Sequence, residues 1–265
     1  MSKENSIIVR ISDFITKYAI YTLVFLMPLF FLPITTEALD FNKQALLVLF
    51  IFVGLFAWML KVFVSGKLSL NKSKINIAVG VLFLAYLLSV ILSVGRYGSF
   101  WGWPSISSES LLTVICFGIL YFLVSNTFTK KDIFISSIVF SVSVLIAELF
   151  GILQVFHLYL IPLKVAQAGS FNTVGLTGAL GLLAAIIYPL TLLLLIYSKK
   201  WWKILFGAEI VVTALLVLLI NYPVVWWIIL LNSILVIIFG IIHLGMVNAL
   251  IWIIIKEFAL MLLTM

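Results

Sequence analysis

Apolar runs recur along almost the whole of this chain. Each has the roughly 18 or more residues that a helix needs to cross a lipid bilayer. The composition makes the same demand. Of 265 residues, 65% are hydrophobic and only 9% are charged, with a mean hydropathy of +1.34. Soluble domains average about 45–50% apolar and about 25% charged residues. No water-soluble fold of this length hides so much apolar surface, so lipid must serve as solvent. Backbone exposed to lipid has to satisfy its own hydrogen bonds, which leaves helices or closed barrels. Barrel strands alternate apolar and polar residues over about ten positions. The stretch from Leu180 to Ile196 shows no such alternation. The expected fold is all-α, a polytopic transmembrane helical bundle, with residues 1–265 forming a single transmembrane domain.

Nine spans are expected, near 17–33, 44–64, 75–94, 111–127, 133–153, 174–197, 204–220, 223–242 and 246–265. Lys256 and Glu257 interrupt the last of them. The first apolar segment follows Lys3, Arg10 and Lys17, as a signal peptide's would, but no small-residue cleavage site follows it. It therefore reads as an uncleaved span. An N-terminus in the cytoplasm puts Lys3, Arg10, Lys17, Lys61, Lys67, Lys72, Lys74, Lys130, Lys131, Lys199, Lys200 and Lys203 on the inner side. The outer loops then hold only Lys43, Arg96 and Lys164. Positive charge concentrates on the cytoplasmic side of membrane proteins, so this orientation is expected. Trp101, Trp103, Trp201, Trp202, Trp226 and Trp227 fall at headgroup depth, as aromatic belt residues do.

Several chemistries are excluded. The formal net charge of +7 comes from lysines between the spans, so nucleic acid is not an expected partner. Cys116 is the only cysteine, which rules out an intrachain disulfide and a cysteine-rich zinc site. His157 and His243 fall on opposite sides of the expected membrane, so they cannot share a metal. No metalloprotease, nucleophile-elbow, phosphate-loop or dinucleotide motif is present. No cofactor is expected. Gly175, Gly178 and Gly181, spaced by three, fit close helix packing.

Two acids lie inside expected spans, where an ionisable group is costly and therefore informative. Glu209 falls near the expected start of its helix, where the helix dipole favours an anion. Glu148 either reaches the outer interface or faces a polar groove. Three outer segments hold most of the polar variety: 34–43, 95–110 and about 154–173. In the second, Arg96 precedes Tyr97, Phe100, Trp101 and Trp103. A guanidinium there could hold a lipid diphosphate through paired hydrogen bonds, or could anchor ordinary phospholipid phosphate.

Three stretches carry a resemblance: FLPITTEALDFNKQALLVLF at 31–50, LLSVILSVGRYGSFWGW at 87–103, and AGSFNTVGLTGALGLLAAIIYPLTLLLLI at 168–196. In kind and order they resemble the N-terminal part of the O-antigen ligase and polymerase family. Lys43, Arg96, Tyr97, Ser99, Phe100, Gly102, Gly169, Ser170 and Asn172 match the family's short motifs. The resemblance implies a glycosyltransferase of cell-envelope polysaccharide synthesis. Such enzymes take a glycan from undecaprenyl diphosphate at the outer face of the bacterial inner membrane. It also implies that outer-face cations steady the departing diphosphate, and that neither metal nor nucleotide sugar is needed. Arg96, with Lys164 and Asn172 as companions, is the expected donor-diphosphate set. The family's large outer loop, with its arginine and histidine, belongs to a C-terminal half not found within these 265 residues. His157, in an earlier loop, is not that histidine. The catalytic residues are thus unassigned, and the chain is expected to be incomplete alone or to work with a partner subunit. The rival readings are a transporter or flippase and a non-catalytic membrane subunit.

Overall fold

The computed structural model describes residues 3–33, 39–68, 73–103, 107–167 and 169–244. Among them run α1 (Lys3–Leu26), α2 (Asp40–Ser65), α3 (Ile75–Leu92), α4 (Arg96–Trp101), α5 (Leu111–Thr127), α6 (Lys130–Val155), α7 (Thr177–Tyr197), α8 (Lys200–Ile220) and α9 (Pro223–Leu244). Single 3-10 turns occupy Ser107–Glu109 and Lys164–Gln167. The described extended backbone pairs at one isolated bridge, Phe171 to Leu176. The fold is all-α. Helices α2, α3, α6, α7 and α8 are long and apolar enough to cross a membrane, and α5 and the 223–236 part of α9 are shorter apolar helices. The protein is membrane-embedded.

Most expected spans within the described residues coincide with helices to within a few residues, but the first does not. In place of a span at 17–33, α1 runs Lys3–Leu26 and ends in a turn at 27–29. Pro28 cannot donate to a continuing helix. The basic residues read as a flank, Lys3, Arg10 and Lys17, lie inside α1 together with Glu4 and Asp13. This helix is not among those apolar enough to cross. Ser12, Thr16, Ala19, Ile20 and Leu23 are buried, a 3.6-residue stripe that makes α1 amphipathic. The last expected span, 246–265, lies outside the described residues.

The chain forms two compact units, 1–139 and 140–265. In the first, α1 and α2 are antiparallel. Lys61 pairs with Asp13 at 2.6 Å, the Thr16 hydroxyl donates to the Gly54 carbonyl at 3.2 Å, and Asn42 Nδ2 donates to the Leu32 carbonyl at 3.1 Å. Helix α5 runs parallel to α2. Gln44 meets Thr113 at one end, and Trp58 sets its edge on Phe122 at the other. Leu23, Leu46, Leu47, Ile51 and Cys116 make the core between these three helices. Helix α3 is different: none of its residues is buried. It is tied to α5 by Tyr121, whose hydroxyl donates to Asn76 Oδ1 at 2.8 Å. Asp132, in the first turn of α6, accepts from Lys17, Tyr21 and the Thr129 hydroxyl and amide. An anion there also favours the helix dipole.

In the second unit α7 packs against α8 and α9. Tyr188, Leu192, Val217, Trp226 and Ile229 are among its core residues. Asn221, in the left-handed region at φ 44°, closes α8, and Pro223 opens α9. This pairing of a left-handed cap with a following proline turns the chain in two residues. Gly178 and Gly181 face Tyr222 and Val225, so the glycine spacing serves packing of α7 against α9.

Candidate functional site

The polar loop end of the first unit is built around Gln44. Its Nε2 lies 3.1 Å from the Trp101 carbonyl, 3.2 Å from the Ser107 carbonyl, 2.8 Å from Ser110 Oγ and 3.1 Å from Thr113 Oγ1. Its two amide protons are shared among four oxygens supplied by residues 57 to 69 positions away. Ser110 also caps α5, accepting from the Thr113 amide. The start of α2 therefore grips the 101–113 segment, and two of the three stretches that carry the family resemblance meet here.

Gripping the segment leaves its aromatic residues outward. Helix α4 begins at Arg96, which is exposed and makes no ion pair among the described residues. Tyr97, Trp101 and Trp103 are exposed as well. Two glycines make the loop feasible. At Gly98 an added Cβ would run into the Trp103 indole, so the ring packs against bare backbone. Gly102 has φ 97° and ψ 153°, a region only glycine adopts without strain.

Three openings surround this end. One of about 400 Å³ is lined by Gln44, Tyr97, Trp101, Trp103 and Ser107, among others. A smaller one of about 210 Å³ is lined by Ser89, Ser99, Trp103, Glu109 and Ser110, with Tyr86 at its edge. Tyr86 also lines an apolar groove of about 710 Å³ between α3 and α5. A polar pocket thus sits at the head of a greasy groove, and aromatic rings border both.

The other expected donor residues have different positions. Asn172 lies in the second unit and is fully buried. Its Oδ1 accepts from the amides of Val174 and Gly175, both at 2.9 Å, forming a tight turn before α7. Lys164 opens the single 3-10 turn at 164–167 of the same unit. His157 has φ 60° and its Nδ1 lies 2.9 Å from the Tyr159 hydroxyl.

The intramembrane acids have the least expected surroundings. Helix α8 starts at Lys200, so Glu209 is more than two turns in, beyond the reach of the helix N-terminus. The expectation of a helix-start anion is thereby corrected. Glu209 is fully buried, and its Oε2 accepts from the Ser141 hydroxyl on α6. Glu148, also fully buried, takes the Thr213 hydroxyl on both oxygens, at 2.9 and 3.1 Å. Of the two alternatives for Glu148, the outer interface or a polar groove, the structure shows neither: the side chain is buried between α6 and α8. Ser141 to Glu209 and Glu148 to Thr213 advance together along both helices, so α6 and α8 run parallel. Ser141, Thr213 and Gln44 were not singled out from the sequence. Each is an ordinary polar residue whose importance depends on a partner more than fifty positions away.

No family model, curated protein or solved structure matches this chain.

Proposed function

We propose that this protein belongs to the machinery of lipid-linked glycan transfer, in the manner of an O-antigen ligase. In this reading it spans the bacterial inner membrane about nine times, with the N-terminus in the cytoplasm and the Gln44 loop end at the outer face. The observation that carries the reading is that end itself. Exposed Arg96 and three exposed aromatic residues stand beside a polar pocket that heads an apolar groove. A polyprenyl diphosphate sugar has the same division, with a long apolar tail and a charged head.

In the reaction, an acceptor hydroxyl attacks the anomeric carbon and the bond from that carbon to the diphosphate oxygen breaks. Charge grows on the departing diphosphate, and a guanidinium can meet two of its oxygens at once. Arg96 takes that role here. The acceptor, its base and any partner subunit carrying the family's large outer loop lie beyond the residues assigned.

Two measurements test this reading. Arg96→Ala should lower glycan transfer at least tenfold at equal protein level, with Arg96→Lys in between, because an ammonium lacks the paired fork. Unchanged transfer would remove Arg96 from the site. Gly118 lines the groove and has open space around it. Gly118→Leu should fill the groove without disturbing the fold. The expected outcome is a severalfold higher KM for the lipid donor and a kcat within twofold of the parent. A changed kcat at unchanged KM would show that the groove does not hold the donor.

A further inference from the structure

The second unit contains polar chemistry that glycan transfer does not use. Ser141, Ser143 and Glu148 on α6, Thr191 on α7, and Glu209 and Thr213 on α8 are all buried to 2% exposure or less. So many polar groups inside an apolar bundle are costly unless each has a partner or a ligand. Most of them do have partners. Thr213 engages both oxygens of Glu148, and Thr191 donates to the Ile187 carbonyl of its own helix at 3.3 Å.

Glu209 is the exception. Ser141 occupies Oε2, and Oε1 is fully buried with no hydrogen-bond partner. No described lysine or arginine compensates it. Lys199, Lys200 and Lys203 are exposed at the start of α8, six or more residues away in sequence, and Lys164 lies in the loop before α7.

We propose that Glu209 and Ser141 form an intramembrane site for one small monovalent cation, Na+. One carboxylate offers one negative charge, and the groups around it are hard oxygen donors, which suits an alkali cation. A divalent ion would need more oxygen ligands or several retained waters. Glu148 sits about two helical turns along α6 from Ser141 and both its oxygens take the Thr213 hydroxyl, so the site is assigned to Glu209, whose Oε1 has no partner. This inference stands apart from the glycan-transfer reading and survives if that reading fails.

The test uses the full chain purified in detergent, with NaCl compared against choline chloride at equal ionic strength. Sodium should raise the unfolding midpoint by a few degrees in a saturable manner, because a ligand that binds only the folded state stabilises it. Equilibrium binding of radioactive Na+ should approach one ion per chain. Glu209→Gln preserves size and the bond from Ser141 but removes the charge, and it should weaken Na+ binding at least tenfold. Glu148→Gln should change it no more than threefold. Equal midpoints in sodium and choline, or stoichiometry near zero in the parent chain, would overturn the site. So would a stability that follows pH alone, which would leave protons as the neutralising cations. Loss of Na+ binding in Glu148→Gln with retention in Glu209→Gln would place the ion elsewhere and overturn it equally. If Glu209→Gln does not fold, the measurements on the parent chain still decide.

Discussion

Replacing Gly102 with alanine is expected to open the loop end of the first unit and lower the unfolding midpoint by roughly 10 °C. Two costs coincide at this residue. Its backbone, at φ 97° and ψ 153°, lies where a side chain brings about 1–3 kcal/mol of strain. The new Cβ would also stand 2.6 Å from the Ser107 Cα. That neighbour is backbone and cannot rotate away, so the 102–107 segment must shift. Ser107 and Trp101 supply carbonyls to Gln44, so the shift breaks the grip of α2 on the loop as well. Cys116, the only cysteine, is buried in α5. Its reaction with a thiol-specific dye on heating reports the opening directly. Gly118→Ala on the same helix is the control. It meets open space and should shift the midpoint by no more than a degree or two. Equal midpoints for Gly102→Ala and Gly118→Ala would refute the account of the loop.

Gln44→Glu should be nearly as damaging, and more damaging than Gln44→Leu. The amide nitrogen lies within 2.8–3.2 Å of four oxygens. A carboxylate in its place sets oxygen against the two carbonyls and has no proton to give them. Leaving such groups unsatisfied costs about 3 kcal/mol or more. Leucine loses the hydrogen bonds but brings no repulsion. Both variants should also expose the 101–113 segment to protease. In the proposed orientation that cleavage occurs from the outer face. A Gln44→Glu protein as stable as Gln44→Leu would show that the nitrogen is not the atom that matters.

The all-α class was legible because lipid admits few alternatives. The loop end was partly legible too. Arg96 and its aromatic neighbours stand out against apolar sequence, and Arg96, Tyr97, Trp101 and Trp103 are exposed in the structure. What escaped was the residue that shapes them. Gln44 reads as a polar residue at a helix start, and its four partners become visible only once the chain has folded back. Glu209 was misjudged for a local reason. Trp201 and Trp202 beside Lys199, Lys200 and Lys203 resemble an interfacial flank, yet they form the first turn of α8. Moving the helix start back to Lys200 carries Glu209 from the helix end into the interior. Asn172 stood out only through the family resemblance, as a companion of Arg96. In the structure its side-chain oxygen accepts from the amides of Val174 and Gly175 in a turn, a role the resemblance did not suggest.

Helix α3 has a consequence for how the protein meets its membrane. Its 18 residues rise about 27 Å, slightly less than the roughly 30 Å depth of a typical hydrocarbon layer. With none of its residues buried, it meets lipid along much of its length and is held to α5 by Tyr121 and Asn76. It also forms one wall of the apolar groove. A thicker bilayer stretches the mismatch and a thinner one relieves it, so the width of that groove becomes a function of the surrounding acyl chains. Reconstitution in lipids of graded chain length would then tune occupancy of the groove without any change to the polypeptide.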